Sequence, residues 1–586
     1  MVLADPFTNM QDSFGKIETG YGANDADFVK YRPKFHVIGP VNWMNDPSAP
    51  YFDGTHYHIY YQHNPYAQIW GNMTWGHATS TDLLHWQDQP FALYPNSTWD
   101  MEGAFDGTCM AEKGYQGKTT LIYTAVSYSG PTYVNGQEKQ VLAVTDDNGN
   151  SWTRIKPVIN GPPDNFVVNG FRDPYLFRSA SFDAFLNMPT APDSIYMTVS
   201  SGIPDKGGRL WLYHSSDWEN WDFHGPFLFH PPNHVASPNP AFYGNDGVNW
   251  EVASYFELPD PSGGDSWHIA TWGSQGGRNG EDFDHWALWT AGQQLDMSMP
   301  DTNEVAKPTP RIHETMSGVY DWGISYAQMA FKDAKDPNGR YLAVGWVQDD
   351  VIAPATSANR WNGVLGLYRE LFIQEINGID ASDPLLQEGY ASWVYDASTN
   401  KVKTLGMRPL PEYASMRGTG VWSLPKNTKK TDLSNLAIPI DSTHVEIDAV
   451  IALDTNSDPI SFVVRQSAKE ETVITYIPSQ GNIFVNRTAS TSRSDLWRTS
   501  DETHALPLFR VNNGGLNGTG GLEPLHLRVF VDNSLIEVFA NDRYAVSTRI
   551  YPDDADATRM ALRAPANVKI TSLNVYPITD SAFNRP

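Results

Sequence analysis

The chain has 586 residues, of which 40% are hydrophobic and 18% are charged, so the sequence encodes packed globular domains rather than a disordered chain. Its net charge of -26 repels phosphate groups, so we expect no nucleic-acid partner. No run of about 18 apolar residues occurs, so we expect no membrane partner, and the single cysteine, Cys109, excludes an intrachain disulfide and a CxxC metal site.

Residues 1–27 are an N-terminal extension to which the sequence assigns no role. The first residues, MVLADPFTNMQDSF, contain neither the basic nor the apolar region of a signal peptide, so we favour a cytoplasmic location. The alternative is a secreted, N-glycosylated protein whose signal has been removed, because the sequence contains N-x-[ST] sequons. These sequons begin at Asn72, Asn96, Asn486 and Asn517.

Residues 28–380 are predicted to form a five-bladed β-propeller. Short alternating runs such as HYHIYYQHN and TTLIYTAV, bounded by Gly, Pro, Asn and Asp, indicate strands of about five residues. A tryptophan recurs roughly every 65 residues, which fits a repeating unit of four strands with long loops. Five such units closed in a ring make a propeller with a central funnel. The recurring residues are Trp86, Trp152, Trp221, Trp286 and Trp346.

The remainder of the chain lacks this tryptophan repeat. Residues 381–430 are predicted to be a linker with one or two marginal elements, and alternating strands return over residues 431–586. This alternation predicts a β-sandwich of two sheets, whose clearest element is the hairpin LRVFVDNSLIEVFAND. The predicted fold class is therefore all-β, a five-bladed β-propeller followed by a β-sandwich, and we consider a homodimer contact through the sandwich.

Three acidic motifs lie in the propeller half: Asp46 in WMNDP, Asp173 in NGFRDP and Glu251 in NWEVASYFELP. Because the first strands of different blades converge on the propeller axis, these carboxylates are expected to meet there. Cleavage of a glycosidic bond with retention needs one carboxylate as nucleophile and one carboxylic acid as proton donor. We expect Arg172 to hold the adjacent Asp173 ionised. Composition and spacing alone indicate a glycosidase or a glycan-binding protein, since the 13% aromatic content also suits sugar binding.

Several motifs together resemble those of glycoside hydrolase family 32, the invertases and fructan hydrolases with related fructosyltransferases. WMNDPSA is similar to the family's WMNDPNG, YYQHNP to its FYQYNP, and FDGT to its FSGS, while FRDP carries the RDP motif. WGNMTWGHATSTDLLHW, DWGISYAQMAF, LYRELF and the sandwich hairpin match further family landmarks. The resemblance extends from about Tyr31 to Pro577 and so covers most of the chain.

The resemblance implies a role for each carboxylate. Asp46 would be the nucleophile that attacks the anomeric carbon of fructose, Glu251 the acid/base, and Asp173 the residue that stabilises the transition state. Glu251 rather than Glu257 takes the acid/base position, because the family pattern WECPDFFPL then keeps its aromatic pair aligned. The fructose pocket would be lined by Asn45, Gln62, Trp70, Phe105, Asp106 and Arg172.

The sequence departs from the family pattern beside these motifs. Ser48-Ala49 replaces Asn-Gly, Asp106 replaces Ser, and Val252-Ala253 replaces Cys-Pro. Because water and a second sugar compete for the same fructosyl-enzyme intermediate, such changes bear on the balance between hydrolysis and transfer. Two alternatives stay open for the pair before Asn45: Trp43 and Met44 either wall the pocket or belong to the core.

We therefore expect a retaining β-fructofuranosidase, an invertase that acts on sucrose and short fructo-oligosaccharides by double displacement, with some transfructosylation. A dedicated fructosyltransferase and an inulin or levan exo-hydrolase are alternatives within the same chemistry. A non-catalytic carbohydrate-binding protein is a more distant alternative, which the presence of all three carboxylates disfavours. The chemistry needs no cofactor, and no metal-ligand cluster is evident in the sequence.

Overall fold

The computed structural model describes residues 26–128, 134, 136–164, 166–188, 194–236, 242–276, 285–298, 309–349, 358–386, 392–425, 430–496 and 501–585. Residues 1–25 of the predicted N-terminal extension lie outside this described part. Within it, α-helix occurs at Ala26–Val29 (α1) and Ala180–Phe185 (α2), and no helix of the described residues is long and apolar enough to cross a membrane. Short 3-10 helices occur at Tyr115–Gly117, Pro384–Leu386, Pro411–Met416 and Lys430–Asn435.

Five antiparallel sheets follow one another in the first part of the chain. The first sheet contains β1 (Asn42–Phe52), β2 (Tyr57–Asn64), β3 (Thr74–Ser80) and β4 (Trp86–Leu93). The second contains β5 (Gly103–Met110), β6 (Thr120–Val126), β7 (Glu138–Val144) and β8 (Thr153–Ile159). The third contains β9 (Gly170–Phe177), β10 (Ile195–Ile203), β11 (Gly207–Ser215) and β12 (Asp222–Phe229). In each sheet the strands pair in chain order, as expected for short strands joined by turns.

The fourth and fifth sheets depart from this simple order. The fourth contains β13 (Asn249–Leu258), β14 (Trp267–Gln275), β15 (His285–Gly292) and β18 (Met316–Asp321), with the hairpin of β16 (Leu295–Ser298) and β17 (Thr309–Ile312) inserted before β18. The fifth contains β19 (Ser325–Lys332), β20 (Tyr341–Val347), β23 (Arg369–Asn377), β24 (Val394–Asp396) and β25 (Lys401–Pro409), and β22 (Val364–Leu365) also pairs with β20. β21 (Trp361–Asn362) returns to the first sheet and pairs in parallel with β1.

The fifth sheet changes the predicted domain limits. β24 and β25 lie in the region predicted as a linker, 381–430, yet β25 pairs with β23 along its whole length. The pairing is favoured because Val402, Leu405 and Met407 of β25 are buried in the core. The last part of the predicted linker contributes β26 (Trp422–Ser423) to the sandwich. The region is therefore divided between the two domains.

The five first strands form a closed ring. β1 contacts β5, β5 contacts β9, β9 contacts β13, β13 contacts β19, and β19 contacts β1. A ring of first strands with the other strands of each sheet outside it is the arrangement of a propeller. We interpret the five sheets as the five predicted blades, and the predicted all-β fold, a β-propeller followed by a β-sandwich, is confirmed.

Two six-stranded sheets form the sandwich. One contains β26, β28 (His444–Ala452), β35 (Leu525–Asp532), β36 (Leu535–Ala540), β37 (Tyr544–Arg549) and β39 (Lys569–Pro577). The other contains β27 (Leu436–Ile438), β29 (Ile460–Gln466), β30 (Thr472–Ile477), β31 (Asn482–Asn486), β32 (Glu502–Ala505) and β38 (Arg559–Arg563), beside the small pair of β33 (Arg510–Val511) and β34 (Gly521–Leu522). β36 and β37 are buried throughout, because β37 also packs against β18 and β19 of the propeller.

A buried ionic network joins the sandwich to the propeller. His36, in the segment before β1, contacts Asp532 Oδ2 through Nδ1 at 2.7 Å and Glu537 Oε2 through Nε2 at 2.9 Å. Arg369 Nη2 of the fifth sheet lies 3.2 Å from Glu537 Oε1 and 2.5 Å from Asp321 Oδ2. All five side chains are buried, so each charge depends on its partners.

The pKa values in this network follow from its contacts. Burial alone would lower the pKa of His36, but its hydrogen bonds to Asp532 and Glu537 outweigh burial and raise the value to about 9. Although burial opposes it, hydrogen bonding to His36 lowers the pKa of both carboxyls. At neutral pH the interface therefore contains an imidazolium between two carboxylates.

We expect His36→Ala to lower the free energy of unfolding by about 3–5 kcal/mol, because it leaves the Asp532 and Glu537 carboxylates buried without their shared cation. His85→Ala is a matched control, since His85 is an exposed histidine that also pairs with carboxylates, and its removal should cost about 1 kcal/mol or less. Denaturant and thermal unfolding of the two variants beside the wild type measures the difference.

The contribution of His36 also depends on pH. Its pKa rises from 6.5 to about 9 on folding, so the stabilisation is complete below 6.5 and is lost as the pH rises through about 9. The melting temperature of the wild type should therefore fall more steeply than that of His36→Ala over this window. Parallel pH curves for the two proteins would contradict the assignment of a charged His36.

Candidate active site

Each of the five first strands contains a β-bulge near its start, where two residues face one residue of the neighbouring strand. A bulge turns a side chain away from the regular alternation, and bulges are common next to active sites. The bulged pairs are Asn45–Asp46 opposite Gln62, Phe105–Asp106 opposite Thr124, Asp173–Pro174 opposite Val199, Val252–Ala253 opposite Trp272, and Ala327–Gln328 opposite Gly345. Three carboxylates thus lie in bulges, and Glu251 immediately precedes the fourth.

The backbone at three of these five bulges is strained. Asp173 has a φ of 61°, Val252 of 43° and Ala327 of 53°, all in the left-handed region that residues with a Cβ rarely adopt. Such conformations cost about 1–3 kcal/mol each and are retained where the surrounding structure enforces them. Here the enforcing contacts are the neighbouring first strands of the ring.

Asp46 lies at the centre of the carboxylate cluster. Its Oδ1 atom is buried and has no hydrogen-bond partner among the described residues. Burial raises its pKa to about 8, and the negative charges of Glu251 and Asp173 add to the shift. A buried oxygen without a partner is costly unless a ligand group supplies the missing hydrogen bond.

Asp106 supports Asp46 from the second sheet. Asp106 Oδ1 accepts hydrogen bonds from Ser48 Oγ and, at 3.1 Å, from Gln62 Nε2. Burial and the charge of Asp46 raise the pKa of Asp106 well above the usual range. A raised pKa favours a neutral Asp106, which avoids a second negative charge beside Asp46.

The structure corrects the prediction that Arg172 holds Asp173 ionised. Arg172 donates to Glu138 Oε1 at 2.9 Å and to Glu251 Oε1 at 2.6 and 3.0 Å. Asp173 Oδ2 instead accepts from the backbone N–H of Val252 at 3.0 Å. Burial and the charges of Asp106 and Glu251 raise the pKa of Asp173 well above the usual range, and they outweigh the charge of Arg172, which lowers it.

Glu251 is the carboxylate that these contacts hold ionised. Arg172 occupies its Oε1, and the Tyr326 hydroxyl donates to its Oε2 at 2.8 Å. Burial raises the pKa of Glu251, but the charges of Arg172 and His285 and the two donors outweigh burial, so the pKa lies below the usual range. Glu257, the alternative on the same strand, accepts from Ser181 Oγ at 3.0 Å and does not join the cluster.

The remaining predicted pocket residues surround Asp46. Asn45 Oδ1 accepts from Trp43 Nε1 at 2.7 Å, which fixes the amide beside the carboxylate. Trp70 is 55% exposed and packs edge-on against Phe105 at 5.9 Å, so these rings form a rim on the solvent side. Met44 is buried in the core and does not wall the pocket.

Two residues of the cluster have no role in the sequence analysis. Glu138 begins β7 and, besides Arg172, accepts from the backbone N–H of Phe171 at 2.6 Å. Tyr326 lies in the motif DWGISYAQMAF, which the sequence marks as a landmark without a function. The sequence signal that could have indicated Glu138 is an acid at the start of a buried strand. Its partner, Arg172, is distant in sequence, so the sequence does not indicate the pairing.

The cluster combines a protonated and an ionised carboxyl group. Asp46, with its raised pKa, retains a proton near neutral pH, whereas Glu251 is an anion neutralised by Arg172. Two carboxyl groups with opposite shifts are the arrangement that acid–base and nucleophilic chemistry requires. Because Arg172 supplies the positive charge, the cluster does not need a cation to balance Glu251.

Comparisons with known proteins find relatives over most of the chain. The model of the glycosyl hydrolases family 32 N-terminal domain matches residues 36–384, and that of the family 32 C terminal matches residues 412–577. Sucrose-6-phosphate hydrolase of Escherichia coli is 29% identical over 89% of this chain and 90% of its own length. Levanase of Bacillus subtilis (strain 168) is 26% identical over 94% of this chain and 70% of its own length. A crystal structure of fructosyltransferase from A. japonicus, 24% identical, has the same fold with a TM-score of 0.85, covering 96% of this chain and 97% of that one.

Proposed function

This chain belongs to glycosyl hydrolase family 32, and we propose that it is a retaining β-fructofuranosidase that hydrolyses terminal β-D-fructofuranosyl residues of sucrose and short fructo-oligosaccharides. The observation that carries the proposal is the pair of Asp46 and Glu251, which meet in one cluster with opposite pKa shifts. The likeness to an enzyme named sucrose-6-phosphate hydrolase supports a sucrose-type substrate.

The proposed reaction is a double displacement. Asp46 attacks the anomeric carbon of the fructosyl unit while Glu251 gives a proton to the departing glycosidic oxygen, which forms a covalent fructosyl-enzyme and frees glucose. Water then attacks the same carbon, Glu251 takes its proton, and Asp46 leaves. Two inversions at one carbon give retention of configuration.

The proton must move before the first step. In the free site it resides on Asp46, whereas the reaction needs Asp46 ionised and Glu251 protonated. Sugar hydroxyls that donate to the unpartnered Asp46 Oδ1 would stabilise its anion and lower its pKa. Displacement of the Arg172 and Tyr326 donors from Glu251 would raise the pKa of Glu251 in turn. We infer that substrate binding transfers the proton within the cluster, without net uptake from solvent.

The other residues hold the fructosyl unit. Asp173, fixed by the Val252 N–H, is placed to bind fructose hydroxyls, and these hydrogen bonds would stabilise the transition state. Asp106 and Gln62 orient Asp46, and Arg172 orients Glu251. Ring faces and amide groups complete the pocket at Asn45, Trp70 and Phe105.

Fructan hydrolysis is the second candidate. The likeness to a levanase over 94% of this chain favours an exo-acting enzyme on longer fructans. Both candidate functions use the same carboxylates and differ in the length of fructan that the funnel accepts. A dedicated fructosyltransferase would also use the same intermediate, with a sugar hydroxyl in place of water.

A homodimer through the sandwich stays a prediction.

Incubation with concentrated sucrose tests the proposal directly. We expect free glucose and free fructose in nearly equal amounts, with a small glucose excess from transfer, and an Asp46→Ala control at least about 10⁴-fold less active. A large glucose excess would identify a transferase. Absence of glucose, with fructose released from levan or inulin, would favour the fructan candidate.

The pH profile of kcat/KM tests the protonation of the free site. Because the pKa of Asp46 is about 8 and that of Glu251 is below 4.5, the pair holds one proton between these values, and activity should fall on both sides. Tyr326→Phe removes a donor to Glu251, so it should move the acidic limb upward and leave the alkaline limb in place. A profile that does not fall above about pH 8 would contradict the shared proton.

Leaving-group dependence distinguishes the two roles. Glu251→Ala should lose far less activity on an aryl β-D-fructofuranoside, whose phenolate departs without a proton, than on sucrose. Asp46→Ala should lose activity on both substrates, since neither can be cleaved without the nucleophile. Glu257→Gln, on the same strand but outside the cluster, is the matched control with nearly unchanged kinetics. The reverse pattern would exchange the roles of Asp46 and Glu251.

A further inference from the structure

A second group of titratable side chains converges outside the carboxylate cluster, in the segment between β12 and β13. His230 Nδ1 and His234 Nδ1 each lie 2.8 Å from the same atom, Asp246 Oδ2. The three ligand atoms all lie within 4.8 Å of one another. The sequence analysis found no metal-ligand cluster, although His230 and His234 are separated by three residues, a spacing that metal-binding histidines use.

The surroundings of the three residues orient them as ligands. His230 Nε2 contacts Glu314 Oε1 and Oε2 at 3.2 and 3.1 Å, and Glu314 is in turn held by Thr290 Oγ1 at 2.9 Å. A carboxylate on the far nitrogen of an imidazole is the usual support of a metal-binding histidine. The Tyr243 hydroxyl donates to Asp246 Oδ1 at 2.9 Å, which leaves Oδ2 for the cluster.

Accessibility and ligand type indicate which metal fits. Asp246 is fully buried and His230 nearly so, whereas the His234 side chain is 34% exposed and gives a route from solvent. Two imidazoles and one carboxylate are a ligand set typical of zinc with an open fourth position. Bonds of about 2.0–2.2 Å would require each histidine nitrogen, now 2.8 Å from Asp246 Oδ2, to move away from that oxygen by roughly half an ångström.

We propose that His230, His234 and Asp246 form a Zn²⁺ site, with Glu314 as the positioning residue behind His230. The site lies next to the strand that carries the acid/base candidate, because the Asp246 carbonyl accepts the Trp250 indole N–H at 2.9 Å. A bound ion would fasten the segment between β12 and β13 to the start of β13. This role is structural and separate from the fructoside chemistry.

Protons compete with the metal at this site. The titratable and charged groups that face the cluster include His230, His234, Asp246 and Glu314, the Tyr243 hydroxyl, and Arg311, which interacts with Glu314. A histidine nitrogen must be free of its proton to bind the metal. Affinity should therefore rise with pH, and binding should release protons into the buffer.

Titration of the untagged, chelator-treated protein with ZnCl₂, followed by calorimetry, tests the proposal. The wild type should bind one equivalent tightly, and its melting temperature should rise with zinc. His234→Ala removes a partly exposed ligand and should fold normally, lose this equivalent and lose the thermal shift. Glu314→Gln should weaken binding about 10–100-fold, as expected for a residue that supports a ligand.

His56→Ala is the matched control, because His56 is an exposed histidine remote in sequence from the cluster, and it should bind zinc like the wild type. Substitution with Co²⁺ gives a second readout, since nitrogen and oxygen ligands around cobalt produce visible absorption that His234→Ala should abolish. Equal zinc stoichiometry and affinity in His234→Ala and the wild type, or no tight equivalent in the wild type, would overturn the proposal.

Discussion

The five β-bulges of the first strands are the feature on which the site depends. A regular strand turns alternate side chains to opposite faces, so an inward carboxylate would require an outward neighbour at a fixed position. The bulge removes this constraint at one point in each blade and places Asp46, Asp106 and Asp173 in one cluster, with Glu251 directly before the next bulge. The cost is local strain, which the closed ring can sustain because each first strand is held by two others.

Four carboxyl groups so close together cannot all be ionised, and the protein resolves the conflict with few cations. Arg172 pairs with both Glu251 and Glu138, while burial and the charges of neighbouring carboxylates raise the pKa values of Asp46 and Asp106. At the interface with the sandwich, the buried acids are instead paired with cations. There, His36 and Arg369 pair with Asp532, Glu537 and Asp321, so every buried acid contacts a cation and the contact is rigid. The carboxylate cluster has more acidic groups than cations, and a bound sugar can change which of these groups carries a proton.

The sequence predicted the fold class and the central acids because both depend on local patterns. Alternating runs predict strands, and Asp46, Asp173 and Glu251 lie in short motifs that can be recognised without knowledge of their neighbours. It could not predict the partner of Arg172, since Glu138 and Glu251 reach it from other sheets. For the same reason the sequence did not show that strands of both domains lie in the region predicted as a linker. The pairing of β25 with β23 depends on complementarity between the two segments, which neither segment shows alone.

Two glycines, at positions where a side chain would clash, also determine where Glu251 lies. Gly273 faces Glu251 in the register of β13 and β14, and a Cβ at Gly273 would come within 2.6 Å of the Tyr326 ring. Tyr326 can therefore lie across the strand and donate to Glu251 only because that position has no side chain. On the other flank, a Cβ at Gly208 would lie 2.2 Å from the Trp250 ring, so a glycine there allows Trp250 to pack beneath the strand. Glu251 is thus positioned from both sides by contacts that only glycine permits, which explains how an acid between such strong donors keeps a single orientation.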